Sequence, residues 1–422
     1  MKKAVFGFLL SVICLIAFPQ QKVKNVILLI GDGMGLAQSY AAYMANGDSL
    51  AMFSMPYTGI SITTCADRKV TDSGAGGTAI ATGHKANYKA IGLDKNGFSH
   101  PSLLKIAKQY GKSTAIVCSC DLAHATPASF IANVKDRKLQ DEIALCYLEG
   151  YCDIAFGGGS KRFLPSGRKD KKNLADSLRV RGFDVVFSQE ELNNSSNNKI
   201  IGLFAEEHLA KAGKRGGIMQ SNMAKALELL GRNEKGFFMM LEGSKIDMEA
   251  HENKYQQMID EVIDFDRCVA MALDFAKRNG NTLVIVTADH ETGGLTLPAE
   301  AEKTKAVWTS LNHTGVPVPI YSFGTGAENF TGVMQNTDIF FEIKDDGCGI
   351  PEDILEHIFT GGYAGQSEVV DGRKGNAGIG LSVCATIIKA HGGVIAARNL
   401  DEGGACFTLA LDLEDDNEKQ QI

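Results

Sequence analysis

The chain has 422 residues, a formal net charge of −7, 44% apolar and 22% charged residues. That balance is globular and excludes a largely disordered chain; the length suits one large α/β enzyme or two to three ordinary domains. The negative charge disfavours nucleic acid as the main partner, because phosphate backbones select basic faces, but it leaves small anionic substrates open, since bound cations reverse a local field.

The first stretch, "MKKAVFGFLLSVICLIAFPQQ", has Lys2 and Lys3 ahead of the apolar run Ala4–Phe18. The run has the length of a signal-peptide core and is short for a membrane span, so residues 1–22 are expected to be an export signal. Phe18 and Pro19 make a poor cleavage site, and an uncleaved anchor is the alternative. Four later runs, "NVILLIG" (25–31), "STAIVCS" (113–119), "GFFMML" (236–241) and "TLVIVTA" (282–288), are short and continuously apolar. They predict strands buried on both faces, hence a mainly parallel sheet with helices on each side. Helical patterns fall between them at 102–111, 223–231 and 258–280, the last two stopping on glycine.

Three of these strands lead directly into carboxylates: Asp32, Glu242 and Asp289, the last followed by His290. Ligands of open α/β sheets sit beyond the carboxyl ends of the strands, so these groups are expected to converge. "GDGMG" (31–35) lacks the GxGxxG spacing, and no P-loop lysine follows it. In "EGSKIDMEAH" (242–251), Asp247 and His251 stand four apart and would share one helix face. "NHTGVPV" supplies His313 on an expected loop. Asp with His suits zinc; Asp, Glu and hydroxyl oxygens suit magnesium. "TDSGAGGTAIATG" (71–83) places Ser73 where a helix opens, a natural phosphate position, although Asp72 or Ser73 could serve as a plain N-cap.

No CxxC pair occurs among the ten cysteines. Cys146–Cys152 is a candidate disulfide if the chain is exported; buried free thiols are the other reading.

Together with "HATPASF" (124–130) and "HTGVPVPIYSFGTGAENFTGV", these motifs make residues 23 to about 339 resemble an alkaline phosphatase. The resemblance implies a three-layer α/β/α fold over 23–340, two zinc ions, one magnesium ion and small phosphate monoesters as substrates. By the same resemblance, Ser73 is the nucleophile that becomes phosphorylated. Asp32, Asp289 and His290 hold the first zinc. Asp247, His251 and His313 hold the second. Asp32, Thr126 and Glu242 hold magnesium, with His124 beside it. Arg137, in "KDRK", grips the phosphate, with Asp72 in support. A homodimer is left open, and the location implied is periplasmic or secreted. The alternatives are a phosphodiesterase of the same superfamily, or an inactive phosphatase fused to an ATP-binding sensor-kinase fragment.

The last eighty residues change character. "FEIKDDGCGIPEDILEHIF" (341–359), "GNAGIGLSVCATIIKAHGG" (375–393) and "GGACFTLAL" (403–411) resemble the ATP-binding domain of sensor histidine kinases. That resemblance implies nucleotide contacts at Asp345, Gly347, Gly349, Gly378 and Gly380. The upstream helix whose Asn binds the nucleotide's magnesium is missing, as is the phospho-accepting segment. Residues 341–422 therefore read as an incomplete α/β sandwich, a chimeric tail not expected to bind ATP, with its apolar surface poorly covered at the join.

Overall fold

The computed structural model describes residues 23–298, 306–347, 394–399 and 405–410; residues 1–22, the expected export signal, lie outside them. The four apolar runs are strands, as their composition demands. Eight strands in chain order are β1 (Asn25–Ile30), β2 (Tyr57–Ile62), β3 (Ser113–Asp121), β4 (Ile154–Gly158), β5 (Asp184–Val186), β6 (Ile200–Leu203), β7 (Phe237–Glu242) and β8 (Thr282–Thr287). With the strands Val318–Gly324 and Gly332–Gln335 they form one ten-stranded sheet, in which β8, β1, β7 and β3 lie side by side. Val318–Gly324 alone runs antiparallel to its neighbours in that sheet.

Alternation along the central strands feeds two cores. Leu28, Ile30, Phe238 and Met240 face one side and pack with Ile80, Leu104 and Phe340. Ile27, Leu29, Met239 and Leu241 face the other and pack with Ala41, Met223 and Phe265. The helices Ser73–Thr82 and Leu103–Gln109 cover the first face; Leu36–Ala45, Ile218–Leu230 and Tyr255–Asn279 cover the second. Each of the central strands Asn25–Ile30, Phe237–Glu242 and Thr282–Thr287 is thus buried on both sides, which is why its sequence shows no polar alternation.

The register sets the site. Ile30 is level with Glu242 of β7 and with Thr287 of β8. All three strands are parallel, so Asp32 and Asp289 follow their strands at one edge and by the same two residues, and Glu242 ends its own strand at that edge, level with Ile30.

At the join, the helix Asp338–Gly347 runs straight through the expected boundary at residue 340. Ile339, Phe340 and Ile343 are buried in the first-face core. The expectation of poor cover here is corrected as far as Ile343: a helical i, i+1, i+4 apolar set fixes the register by burial. The backbone at Asp345 and Gly347, where the kinase resemblance implied nucleotide contacts, is helical. Gly349, Gly378 and Gly380 lie outside the described residues. Val394–Asn399 and Ala405–Ala410 form an antiparallel pair. Among the described helices none is long and apolar enough to cross a membrane.

Candidate active site

Ser73 is the first residue of its helix, and Asp72 caps it: the Ala75 N–H donates to Asp72 Oδ1 at 3.3 Å. The N-cap reading therefore holds for Asp72 and not for Ser73. The other Asp72 oxygen accepts from Arg137 Nη1 at 3.0 Å, and that same nitrogen lies 3.3 Å from Ser73 Oγ. Burial works against charge on Arg137, but Asp72, with Asp32 and Asp247 farther off, more than compensates and holds the guanidinium above its usual value.

Asp32 sits in the turn after β1. Gly33 has φ +73°, and a Cβ there would stand 2.8 Å from Thr292 Oγ1 and 2.9 Å from Asp247. Only glycine allows this left-handed turn and the close approach together. That explains "GDGMG" without any nucleotide loop.

The predicted ligands come together in overlapping groups. Asp32, Asp289 and His290 offer ligand atoms within 4.8 Å of one another; so do Asp247, His290 and His313, and so do Asp32, His124 and Glu242. His251 stands at the rim, its Nε2 3.4 Å from Asp247 Oδ1. His313 lies on a two-residue strand paired with Glu291–Thr292 rather than on the expected loop.

Tautomers follow from the partners. His251 Nδ1 is 2.6 Å from the Leu311 carbonyl, and His313 Nδ1 is 2.9 Å from the Thr71 carbonyl. A carbonyl cannot donate, so both Nδ1 atoms carry a proton, and in the neutral imidazole each Nε2 then carries the lone pair. Those two Nε2 atoms face each other at 3.1 Å. Two lone pairs at that separation repel unless a cation lies between them. Thr292 orients the third imidazole: its hydroxyl donates to Asp247 Oδ1 at 2.5 Å and so accepts from His290 Nδ1 at 3.2 Å. The His290 Nε2 lone pair then points at Ser73 Oγ (3.2 Å), Asp289 Oδ2 (3.3 Å) and Asp32 Oδ1 (3.4 Å). Thr292 was not singled out from the sequence, although it stands two residues after His290.

Both oxygens of Asp32, Asp289 Oδ2, Glu242 Oε1, Thr126 Oγ1 and His124 Nδ1 are buried without a hydrogen-bond partner. Such groups are costly unless something satisfies them. Burial first, then Asp289, Asp247 and Glu242, pushes Asp32 well above the usual carboxylate range. Burial with Asp247 and Glu242 does the same to Asp289, and burial raises Glu242. Burial, followed by His313 and Arg137, holds His290 well below its usual value; burial, then Arg137 and His208, does so for His124. Crowded acids and neutral imidazoles form a donor set suited to divalent cations. A cavity of about 400 Å³ opens onto it, lined by Asp72, Tyr88, Lys89, His124, Arg137 and His313.

The Cys146–Cys152 expectation is overturned: both are free thiols. Each Sγ turns to a different carbonyl, that of Glu142 at 3.7 Å and that of Ile154 at 3.1 Å.

The sheet and the groups at its edge define an alkaline-phosphatase-like α/β protein. The structure is similar to that of alkaline phosphatase from the Antarctic bacterium TAB5, with TM-score 0.74, 34% identity, and 77% of this chain and 98% of that one covered. A mutant of the TAB5 enzyme with Mg bound in its M3 site superimposes equally well, at TM-score 0.74 and 33% identity over 78% of this chain and 99% of that one. The chain belongs to the alkaline phosphatase family, whose model, described as "Alkaline phosphatase", matches residues 23–303. Alkaline phosphatase 4 of Bacillus subtilis is 34% identical over 77% of this chain and 90% of its own length. Alkaline phosphatase of Escherichia coli is 32% identical over 76% and 85%. Residues 323–415 match a second model, "Histidine kinase-, DNA gyrase B-, and HSP90-like ATPase". The chain is a chimera of two families in series, and its larger part is a phosphatase.

Proposed function

We propose that the chain hydrolyses phosphate monoesters through a phosphoserine at Ser73. Asp32, Asp289 and His290 would hold one zinc, Asp247, His251 and His313 a second, and Asp32, Thr126 and Glu242, with His124 beside them, a magnesium. The observation that carries this reading is the pair of facing lone pairs on His251 and His313. Charge agrees with it: Arg137 neutralises Asp72, leaving the four carboxylates Asp32, Glu242, Asp247 and Asp289. Four carboxylates and a phosphate dianion together match three divalent cations.

Bound divalent cations supply positive charge that stabilises an alkoxide and the charge developing on the phosphoryl oxygens. The protein does the positioning, which dominates phosphoryl transfer. Arg137 would bind two phosphate oxygens in the bidentate manner that guanidinium favours. Asp72 holds that fork, caps the helix and so fixes Ser73 against it. The helix start adds N–H groups and a positive dipole end to the phosphate position. Ser73 Oγ forms the new bond to phosphorus as the bond to the departing alcohol breaks and the alcohol takes a proton. Water then attacks the phosphoserine, releasing phosphate and restoring the Ser73 hydroxyl.

Residues 1–22 support an exported enzyme, periplasmic or secreted, and the tail from residue 341 is read as a fragment without kinase or ATP-binding activity. The test is turnover of p-nitrophenyl phosphate beside its diester, bis-p-nitrophenyl phosphate. Monoester turnover should dominate, Ser73→Ala should nearly abolish it, and chelation should abolish it until zinc and magnesium are returned. Near-normal activity of Ser73→Ala, or indifference to chelator, refutes the mechanism.

A further inference from the structure

Cys118 and Cys120 stand two apart on β3, where the pairing with β4 slips register between Val117 and Asp121. Strand periodicity puts both thiols on one face, and both are fully buried in the first-face core. Cys118 is level with Glu242 on the neighbouring β7. The Cys120 thiol donates to Glu242 Oε2 at 3.2 Å, while Glu242 Oε1, fully buried, has no partner. The two sulfurs and a Glu242 oxygen lie within 4.8 Å of one another. None of the chemistry proposed for Ser73 uses either thiol.

We infer that Cys118, Cys120 and Glu242 form a separate site for a soft, thiophilic divalent cation, sharing Glu242 with the Asp32–His124–Glu242 group. The donors decide the class of cation. Two sulfurs and one carboxylate select zinc or cadmium over magnesium, which prefers oxygen in octahedral array. Binding displaces the two thiol protons to solvent and forms two metal–sulfur bonds. His124, which shares a group with Glu242, lines the cavity at the mouth. The structural reading of the same residues, two buried thiols donating to nearby oxygens, accounts for their hydrogen bonds but not for the convergence of two sulfurs and a carboxylate oxygen within 4.8 Å. A cation at this site would draw Glu242 away from the Asp32 side, so occupancy of the two sites is antagonistic. That second statement rests on the magnesium role proposed for Asp32, Thr126 and Glu242; the thiolate site does not.

The test uses the full chain, reduced, titrated with cadmium and followed by the ultraviolet charge-transfer absorption of cadmium–thiolate bonds. Cys118→Ser and Cys120→Ser should each remove the strongest-binding part of that absorption. Cys65→Ser and Cys268→Ser should leave it. Alanine at 118 and 120 repeats the test should a buried serine prevent folding, and thermal melts identify variants that fold. Absorption unaffected in folded Cys118 and Cys120 variants overturns the site. On the unmutated chain, high magnesium should lower the cadmium affinity about tenfold or more, the scale on which a metal's supporting groups act. Cadmium affinity indifferent to magnesium overturns the antagonism while the thiol variants still report on the site.

Discussion

Phe340 tests whether the junction belongs to the phosphatase. Its side chain is 4% exposed and packs in the core beneath the sheet. A Cβ on Gly83, the residue that ends the Ser73 helix, would lie 2.6 Å from Phe340 Cδ1, so the ring closes directly over that helix end. Replacing it by alanine removes a buried ring from a site lined by rigid backbone, where collapse is limited. Such changes cost about 3–5 kcal/mol, a large share of a total near 5–15 kcal/mol. At about 2–4 °C per kcal/mol the melting temperature should fall by roughly 6–20 °C. Phe341 is 42% exposed, so Phe341→Ala should shift it far less, by about 0.5 kcal/mol. Differential scanning fluorimetry of both variants in the full chain, with zinc and magnesium present, makes the comparison. Equal melting temperatures for Phe340→Ala and the unmutated chain would refute the claim that the helix Asp338–Gly347 is part of the core.

Arg137→Ala should weaken inhibition by inorganic phosphate by about 2 kcal/mol, roughly thirtyfold, the scale of charge-assisted hydrogen bonds; Arg137→Lys should recover only part, because an ammonium cannot form the fork. An inhibition constant unchanged in Arg137→Ala would remove the residue from the phosphate site. Thr292→Val should lower zinc affinity about 10–100-fold with little change in fold, since Thr292 ties Asp247 to the His290 tautomer; competition against a chromophoric chelator reads this directly. Asp32 and Asp289, held well above 3.8 first by burial, bind more protons folded than unfolded in the cation-free protein. By linkage their contribution to stability is full below about 3.8 and is lost as pH rises through their folded-state values. Melts of chelated protein should therefore fall more with rising pH than melts with zinc and magnesium; parallel curves would count against a cation-dependent acid cluster.

The central strands and the direction of their carboxyl ends were legible in the sequence. Continuous apolar runs can be buried only on both faces, and a charged residue directly after such a run must lie where the sheet ends. The i, i+4 spacing of Asp247 and His251 and the helix opening at Ser73 were legible for the same local reason: backbone periodicity fixes them. What local pattern could not supply was the pairing of distant segments. The Nε2 atoms of His251 and His313, the Thr292 link from Asp247 to His290, and the thiols of Cys118 and Cys120 beside Glu242 meet through strand register, which no single stretch encodes.

The junction shows the same division. Read along the chain, "NTDIFFEIKDDG" changes family at about residue 340, because motif resemblance counts residues in order. In three dimensions Ile339, Phe340 and Ile343 point to one side of a helix and are buried with Ile80 and Leu104. Sequence alone determined the chemistry available to this protein: a serine, acids and imidazoles at the strand ends. Tertiary structure decided which of those groups share a cation-sized space, and that the phosphatase core extends past the point where its motifs stop, because burial follows the helix face and not the boundary of a motif.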